Sequence, residues 1–279
     1  MPETVRAGFD YIIILGLIAC LVRMTRIYQH RIEPTIGTAT ARRLIWIGAL
    51  TLFFTILYLL VSRAGLKSNI ITALSTATLV LLACVTGHWL VIPLKRPSEL
   101  IPIGMAVALS DIFSVFSGPT RNFAEDISHY YREGMAGPAP LVDFFLVKMP
   151  MPGNDYFMPV FGITDWVILA LLSAGALRFN LDDNLFSLAG SIQRPNKSRA
   201  FFPVAAIGLV LSIVAARSMN LYLPALPFIV IVFLIVMAVK YPAVRKLGPE
   251  EIRAMIFVSI LMGLLMAVFT ILKNGSGPG

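Results

Sequence analysis

The sequence predicts an all-α polytopic membrane protein of about eight transmembrane helices. Of its 279 residues, 57% are hydrophobic and 14% are charged, whereas a soluble domain carries about 25% charged residues. The mean hydropathy is +0.81. The apolar residues are gathered in runs close to the roughly 20 residues that cross a bilayer core of about 30 Å. The lipid bilayer is therefore the first partner that we expect.

Eight apolar runs are long enough to be counted as spans, with boundaries good to a few residues. They are Phe9–Met24, Leu44–Val61, Asn69–Ile92, Leu100–Ser117, Phe157–Leu177, Ala200–Ala216, Leu221–Val239 and Ile252–Leu272. The first run is short, and we expect it to extend into its neighbours. Only the short stretch "RSMN" separates the sixth run from the seventh, which predicts a tight helical hairpin.

The positions of the basic residues predict the orientation. Fifteen of the 23 Lys and Arg residues belong to the connections after the first, third, fifth and seventh runs when Arg23 and Arg253, at the ends of runs, are counted with them, and eight lie elsewhere. Cytoplasmic connections carry the excess of Lys and Arg, so both termini and the connection 118–156 are expected on the non-cytoplasmic side. Because the basic residues cluster between apolar runs, the net charge of +8 reflects membrane orientation, and we expect no nucleic-acid partner.

The connection 118–156 is the longest in the chain and carries more acidic than basic residues. Within it, "RNFAEDISHYYREG" has apolar residues at helical spacing, which indicates an amphipathic helix at the membrane interface. The following "PLVDFFLVKMPMPG" is rich in β-formers and closed by prolines, which predicts a strand just outside the membrane. A long connection with structure of its own is usually functional.

Two aspartates lie inside apolar runs: Asp111 in "PIGMAVALSDIFSVFSG" and Asp165 in "PVFGITDWVILALL". An aspartate at membrane depth costs about 2.5–3.5 kcal/mol on insertion scales, so such residues tend to face the protein interior and to be functional. On antiparallel neighbouring helices the two carboxylates would meet, share one proton and activate water, as in aspartyl proteases. Taken singly, Asp165 would also suit a helix cap behind Gly162, and Asp111 a hydroxyl partner or a transported cation.

A third element is the stretch "NLYLPALPFIVIV", in which Pro224 and Pro227 stand near the start of an apolar run. Each proline removes a backbone donor and prevents a regular helical turn. At membrane depth the freed carbonyls need protein or water as partners. The stretch therefore predicts a broken helix beside a water-containing cavity.

The sequence implies no metal and no organic cofactor. It has no zinc signature, no phosphate-binding glycine loop and no Ser/His/Asp set. Its two cysteines, Cys20 and Cys84, both lie in apolar runs without disulfide or metal-ligand spacing.

In this order, the three elements resemble the presenilin and signal peptide peptidase family of intramembrane aspartyl proteases. That family has a first aspartate, often in a Tyr-Asp motif, a second in a Gly-x-Gly-Asp motif, and a Pro-Ala-Leu motif in the last core helix. The matching positions here are Ser110-Asp111, Gly162-Ile163-Thr164-Asp165 and Pro224-Ala225-Leu226. The resemblance covers about 101–239. It implies a presenilin-like helix core in which Asp111 and Asp165 are catalytic. The residues that it implies for substrate binding are Gly162, Ile163, Thr164, Pro224, Ala225 and Leu226.

The chain also departs from the family pattern. Ser110 stands where the family has tyrosine, and Thr164 where it has glycine directly before the second aspartate. Three runs, rather than the family's usual five, precede the first aspartate helix, and one run follows the Pro-Ala-Leu helix. We therefore expect a divergent relative with a three-helix scaffold (1–98), a catalytic core (99–240), and an additional transmembrane helix with a flexible tail (241–279).

The resemblance implies an endopeptidase that hydrolyses peptide bonds in single transmembrane helices. The orientation favours substrates with a cytoplasmic N-terminus, and the need for partner subunits stays open. One alternative is a cation- or proton-coupled transporter with the aspartates as ion ligands. Another is a catalytically silent relative that binds membrane helices, since Thr164 adds a β-branched side chain beside Asp165. Prepilin peptidases share a Gly-x-Gly-Asp motif but lack a Pro-Ala-Leu helix of this kind.

Overall fold

The computed structural model describes residues 3–37, 39–63, 68–117, 119–135, 137, 139–150, 156–186, 201–219 and 223–275. Most of them are helical. The helices are α1 (Glu3–Ile27), α2 (Glu33–Ile36), α3 (Thr40–Ser62), α4 (Asn69–Val91), α5 (Leu100–Ser117), α6 (Pro119–Arg132), α7 (Ile163–Arg178), α8 (Val204–Met219), α9 (Ala225–Lys240), α10 (Pro242–Arg245) and α11 (Pro249–Gly275). The strands β1 (Leu146–Pro150) and β2 (Phe157–Gly162) pair in antiparallel. The end of the predicted flexible tail, residues 276–279, lies outside the described residues.

Five helical segments are long and apolar enough to cross a membrane. They are Asp10–Ile36, Thr40–Ser62, Asn69–Val91, Pro97–Phe116 and Pro249–Phe269. These segments match the first four predicted runs and the eighth. The first run does extend beyond its predicted end, because a π-helical turn (Tyr28–Ile32) joins α1 to α2 without a break. The prediction of a mostly helical chain with several membrane-length helices is confirmed.

The remaining three predicted runs contain the shorter helices α7, α8 and α9, of 16 residues each, or roughly 24 Å at 1.5 Å per residue. The prediction of a helix over Phe157–Leu177 is wrong in its first part, where Phe157–Gly162 form β2. Pro159 lacks a backbone donor and the aromatic and β-branched residues around it favour a strand. The predicted first residues of the next two runs, Ala200 and Leu221, lie outside the described ranges.

The helices α4 and α7 approach each other most closely at Gly87. A Cβ atom at this glycine would lie 2.8 Å from both the Ala170 Cβ and the Leu171 backbone nitrogen, so only glycine permits this distance. Beside this contact, Trp166 and Leu169 of α7 are completely buried. The contact fixes α7, and with it Asp165, against the N-terminal helices.

Helix α9 is packed between α8 and α5. A Cβ atom at Gly208 of α8 would overlap the backbone of Ile229, and one at Gly104 of α5 would lie 2.7 Å from the Val230 side chain. The α8–α9 pairing confirms the predicted hairpin. The packing on the opposite side places the start of α9 beside the helix that carries Asp111.

The additional C-terminal helix, α11, packs along α5. At its start the Ser98 hydroxyl donates to Glu251 Oε1 at 3.0 Å, and at its far end the rings of Phe113 and Phe269 lie 6.0 Å apart, edge to face. Most of the other large apolar side chains described for α11 are exposed, as suits a helix that faces lipid. Helix α11 is thus in contact with the Asp111 helix on a face that α9 does not use.

A charged cluster shapes the connection between α2 and α3. Arg43 is 2% exposed and forms a salt bridge with Glu33, which also accepts a 2.7 Å hydrogen bond from the Tyr28 hydroxyl. The Arg43 Nε donates to the Gly37 carbonyl at 3.1 Å. Because a buried arginine is costly unless it is paired, these contacts allow the basic start of α3 to fold back onto the end of α1.

Asp183, between α7 and α8, is a buried carboxyl group with an unsatisfied oxygen. Its side chain is 6% exposed, and among the described residues Oδ2 has no hydrogen-bond partner. Burial raises the pKa of Asp183 to about 7; Asp182 adds to the rise, whereas Ser173 and Lys240 oppose it. The folded protein therefore favours the protonated form of this group.

We expect Gly208→Ala to destabilise the protein by about 1–3 kcal/mol, because the new methyl group overlaps the backbone of α9. The matched control is Gly263→Ala on α11, where no atom lies within 4 Å of the added Cβ. The control should be neutral or slightly stabilising, since alanine favours helix over glycine. Unfolding free energies in detergent would measure both, and equal effects would contradict the close α8–α9 contact.

We also expect the stability of the wild type to fall as the pH rises from about 4 to about 7. The folded-state pKa of Asp183 is about 7 against an ordinary 3.8, so over this window the folded state binds more protons than the unfolded state. Asp183→Asn removes the contribution of this group to the pH dependence. It should match the wild type near pH 4 and be more stable by at least about 1 kcal/mol at pH 8. The exposed Asp126→Asn on α6 is the control, and parallel pH profiles for Asp183→Asn and wild type would rule the effect out.

Candidate active site

Asp111 is half-buried in the second half of α5 and is bound by the start of α9. The backbone N–H of Leu226 donates to Asp111 Oδ2 at 3.0 Å. Leu226 is the second residue of α9, and an N–H in the first turn of a helix has no acceptor within that helix. The carboxylate therefore binds a backbone donor that the helix itself cannot satisfy, at the end where the helix dipole favours negative charge.

The prolines of "LPALP" explain why α9 begins at this point. Pro224 precedes the helix in an extended conformation, with φ −65° and ψ 123°, and Pro227 is the third residue of α9 and carries no N–H. Pro224 therefore lies before the helix, as the predicted break requires, whereas Pro227 lies in its first turn; the water-containing cavity beside them stays a prediction. Together with the bond from Leu226, this helix start places the Pro-Ala-Leu motif directly against Asp111.

Asp165 is the third residue of α7 and is 8% exposed. Its Oδ2 accepts a 3.1 Å hydrogen bond from the backbone N–H of Gly162, the residue before the helix. The capping contact weighed from the sequence is therefore present. This cap leaves the second role open, because Asp165 lies within electrostatic range of the Asp111 carboxyl group.

The β-hairpin leads directly into Asp165. Leu146 pairs with Gly162 and Val147 with Phe161, and then the register shifts so that Lys148 faces Pro159, which leaves Val160 as an extra residue on β2. On the other side of β1, the Thr76 hydroxyl of α4 is bonded to both the backbone N–H (3.4 Å) and the carbonyl (3.5 Å) of Lys148. Among the described residues, the outer edge of β2 has no strand partner.

The predicted strand within "PLVDFFLVKMPMPG" is confirmed in part. Leu146–Pro150 form β1, whereas Leu141–Phe145 form a 3-10 turn and residues 151–153 lie outside the described ranges. The amphipathic helix predicted from "RNFAEDISHYYREG" is present as α6. The strand β2 was not predicted, because Phe157–Gly162 continue without a break into the apolar run of α7.

The residues predicted to bind substrate lie at the two helix starts. Gly162 and Ile163 are half-buried, and the Thr164 side chain is exposed, with no place in the core. Of the second motif, Pro224 and Leu226 are buried and Ala225 is half-buried. Ser110, which replaces the family's tyrosine, is exposed.

Sequence reasoning missed a polar cluster between α6 and β1. Asp143 is 2% exposed; it binds Lys148 Nζ at 2.5 Å and accepts a 2.9 Å hydrogen bond from the Tyr131 hydroxyl. From the sequence, these residues contribute only to the net charge of the connection 118–156. The sequence feature that could have predicted this ion pair is an aspartate and a lysine five residues apart in an otherwise apolar stretch.

Within the described ranges, no group of three or more His, Cys, Asp or Glu side chains is arranged to hold a metal ion. The site offers two carboxyl groups, and each accepts a hydrogen bond from one backbone N–H. Asp111 accepts it from the start of α9 and Asp165 from the residue before α7.

In comparisons with known proteins, no family model matches this chain, and neither a curated protein nor a solved structure matches it at a significant level.

We expect Lys148→Met to destabilise the protein by about 3–5 kcal/mol, because it leaves the buried Asp143 carboxylate without its cation. The double variant Asp143→Leu/Lys148→Met should recover most of this loss, since no unpaired charge remains. Thermal unfolding of the single and double variants measures both effects. A single variant as stable as wild type would contradict a buried pair at this position.

Proposed function

We propose that this protein is an intramembrane aspartyl endopeptidase of the presenilin and signal peptide peptidase type, with Asp111 and Asp165 as its catalytic pair. The observation that carries the proposal is the hydrogen bond from the Leu226 N–H to Asp111. It joins the first aspartate to the Pro-Ala-Leu motif across 115 positions of sequence, and Asp165 lies within electrostatic reach of the same carboxylate. These two observations support a single site formed by the three motifs behind the resemblance.

The reaction uses one proton shared by the two carboxyl groups, since neighbouring carboxylates do not ionise together easily. The ionised aspartate takes a proton from water while the water oxygen attacks the peptide carbonyl carbon. The protonated aspartate gives its proton to the carbonyl oxygen, which forms a tetrahedral diol. Proton transfer to the peptide nitrogen then breaks the C–N bond. The products are a carboxylic acid and an amine, and the pair regains its single proton.

The β-hairpin supports a way of holding the substrate. A transmembrane helix hides its peptide bonds in its own hydrogen bonds, so it must unwind before it can be cut. The outer edge of β2, which leads to Gly162 and Asp165, would pair with an unwound segment as an added strand. Gly162, Ile163 and Thr164 would then line the substrate backbone on one side, and Pro224, Ala225 and Leu226 on the other.

We further propose that α7, α8 and α9 also cross the membrane, which gives the eight spans predicted from the sequence. Helix α7 is preceded by β2. Close glycine contacts hold α7 against α4 and α9 against α5, and they hold α8 against α9. With the basic connections in the cytoplasm, both termini and the connection 118–156 lie outside. The substrates are then single transmembrane helices with a cytoplasmic N-terminus. If a membrane-impermeant label failed to reach this connection in intact cells, the protein would have the opposite orientation.

Thr164 does not count against activity. In place of the family's glycine it adds a β-branched side chain, but this side chain is exposed, whereas Asp165 beside it is buried. The threonine therefore does not come between Asp165 and the core. Its position at the open side of the site makes it a residue that substrates would meet.

Asp111→Asn and Asp165→Asn should each reduce cleavage by at least about a thousandfold, because residues that act as a unit lose nearly all activity when one is removed. The assay is cleavage of reporter single-span helices of both orientations by the purified protein in lipid, with the products identified by mass spectrometry. Asparagine keeps the size of the side chain, so folding should be retained.

The matched control is Asp126→Asn, an exposed aspartate on α6, which should cleave as the wild type does. Undiminished cleavage by either active-site variant would contradict the assignment of Asp111 and Asp165 as the catalytic pair. A wild type that cuts neither orientation would favour the alternatives, and ion flux would then distinguish a transporter from a silent helix-binding protein.

A further inference from the structure

The helices α1, α4 and α7 meet at one buried hydroxyl group that the proposed mechanism does not use. The Thr25 hydroxyl donates to the Leu21 carbonyl at 3.0 Å. It accepts from the Trp166 indole N–H at 3.2 Å and from the Cys84 thiol at 3.5 Å. A hydroxyl has one donor and two acceptor sites, so all three are filled.

Each of these side chains is withdrawn from the surface. Thr25 is 4% exposed, Cys84 1% and Trp166 0%. The three side chains therefore lie inside the helix bundle. The Thr25 hydroxyl is the acceptor that the buried indole N–H needs. The hydrogen bond to Thr25 constrains the orientation of the Trp166 ring, because the indole has a single N–H that points along one fixed line from the ring.

Trp166 is fixed on a second side as well. Its ring stacks on Phe161 of β2, with the centroids 5.7 Å apart and the planes at 24°. A side chain that is bonded at its edge to α1 and stacked on its face against β2 has little freedom to turn. Any rotation of the first turn of α7 about its axis would break one of these contacts.

Asp165 directly precedes Trp166 and has few restraints of its own. Its side chain accepts a hydrogen bond from Gly162 in the same segment, and this bond does not fix the segment against the rest of the protein. Thr164 before it is exposed. Trp166 is the first fully buried residue of α7, and it is the point at which the start of this helix is attached to α1.

We propose that Thr25 is a positioning residue: through the Trp166 indole it sets the rotation of the start of α7 and thereby the placement of Asp165 against Asp111. This inference rests on the proposed function for its catalytic consequence. A single hydrogen bond between membrane helices contributes little to stability. A displacement of about 1 Å at a catalytic group, by contrast, reduces the rate by about a hundredfold. Loss of the Thr25 hydroxyl should thus act on the rate more than on folding.

The first test is cleavage of the reporter helix by Thr25→Val and Trp166→Phe. Valine keeps the shape of threonine, and phenylalanine keeps a ring for Phe161, so each variant removes mainly the hydrogen bond. We expect kcat to fall about tenfold to a hundredfold in each, with KM within about twofold of wild type and with a displaced pH–rate profile. The double variant should lose no more than either single variant, because both remove the same contact.

Two controls separate positioning from simple packing. Thr25→Ser keeps the hydroxyl and should restore kcat and the pH profile. Cys84→Ala removes the other donor to Thr25 and should cleave as the wild type does. Unchanged kcat and pH profile in Thr25→Val, additive losses in the double variant, or no rescue by serine would each overturn the proposal.

A second measurement does not need catalysis. In protein with ¹³C-labelled aspartate carboxyls, NMR titration follows Asp111 and Asp165 directly, with the Asn variants giving the assignment. Thr25→Val should displace the pH midpoints of this pair by at least about half a unit, and Thr25→Ser should not. If the wild type cuts no helix but the midpoints move, the proposed function fails and the positioning role stands. If the wild type cuts and the midpoints and kcat stay fixed, only the positioning role fails.

Discussion

A carboxylate inside a bundle of apolar helices needs hydrogen-bond donors, and much of this structure is arranged to supply them. The ordinary polar side chains are scarce at this depth, and backbone N–H groups in the middle of a helix are already bonded. The free ones lie in the first turn of a helix. The protein places such a turn at each aspartate: Leu226 at the start of α9 binds Asp111, and Gly162 before α7 binds Asp165. The site is therefore built from two helix starts.

Close helix packing keeps these two starts in place. Glycines at Gly87, Gly104 and Gly208 bring α4 against α7, α5 against α9, and α8 against α9 at distances that a Cβ atom would prevent. Membrane helices gain little from the hydrophobic effect when they associate, so tight packing of small residues takes its place. The short helices that carry the motifs are thus held by longer neighbours rather than by their own length.

The connection 118–156, outside the helix bundle, is held together by polar contacts instead of by close packing of small residues. Lys148, Asp143 and Tyr131 form a compact polar cluster between α6 and β1, and Thr76 bonds β1 to α4. Among the described residues β2 pairs with β1 and runs into α7, and its other edge has no strand partner. The same hairpin that shapes the start of α7 thereby presents a strand edge to whatever enters the site.

The sequence by itself determined the helical class, most helix positions and the break before α9, because these follow from local hydropathy and from the missing donor of proline. It also singled out Asp111 and Asp165, since charge is rare in apolar runs. Only the tertiary structure decided that Leu226 bonds to Asp111, that Phe157–Gly162 form a strand, and that Thr25 meets Trp166. Each of these depends on residues far apart in the chain. Hydropathy reports the preference of a segment for lipid, but it does not report which neighbour that segment will pack against.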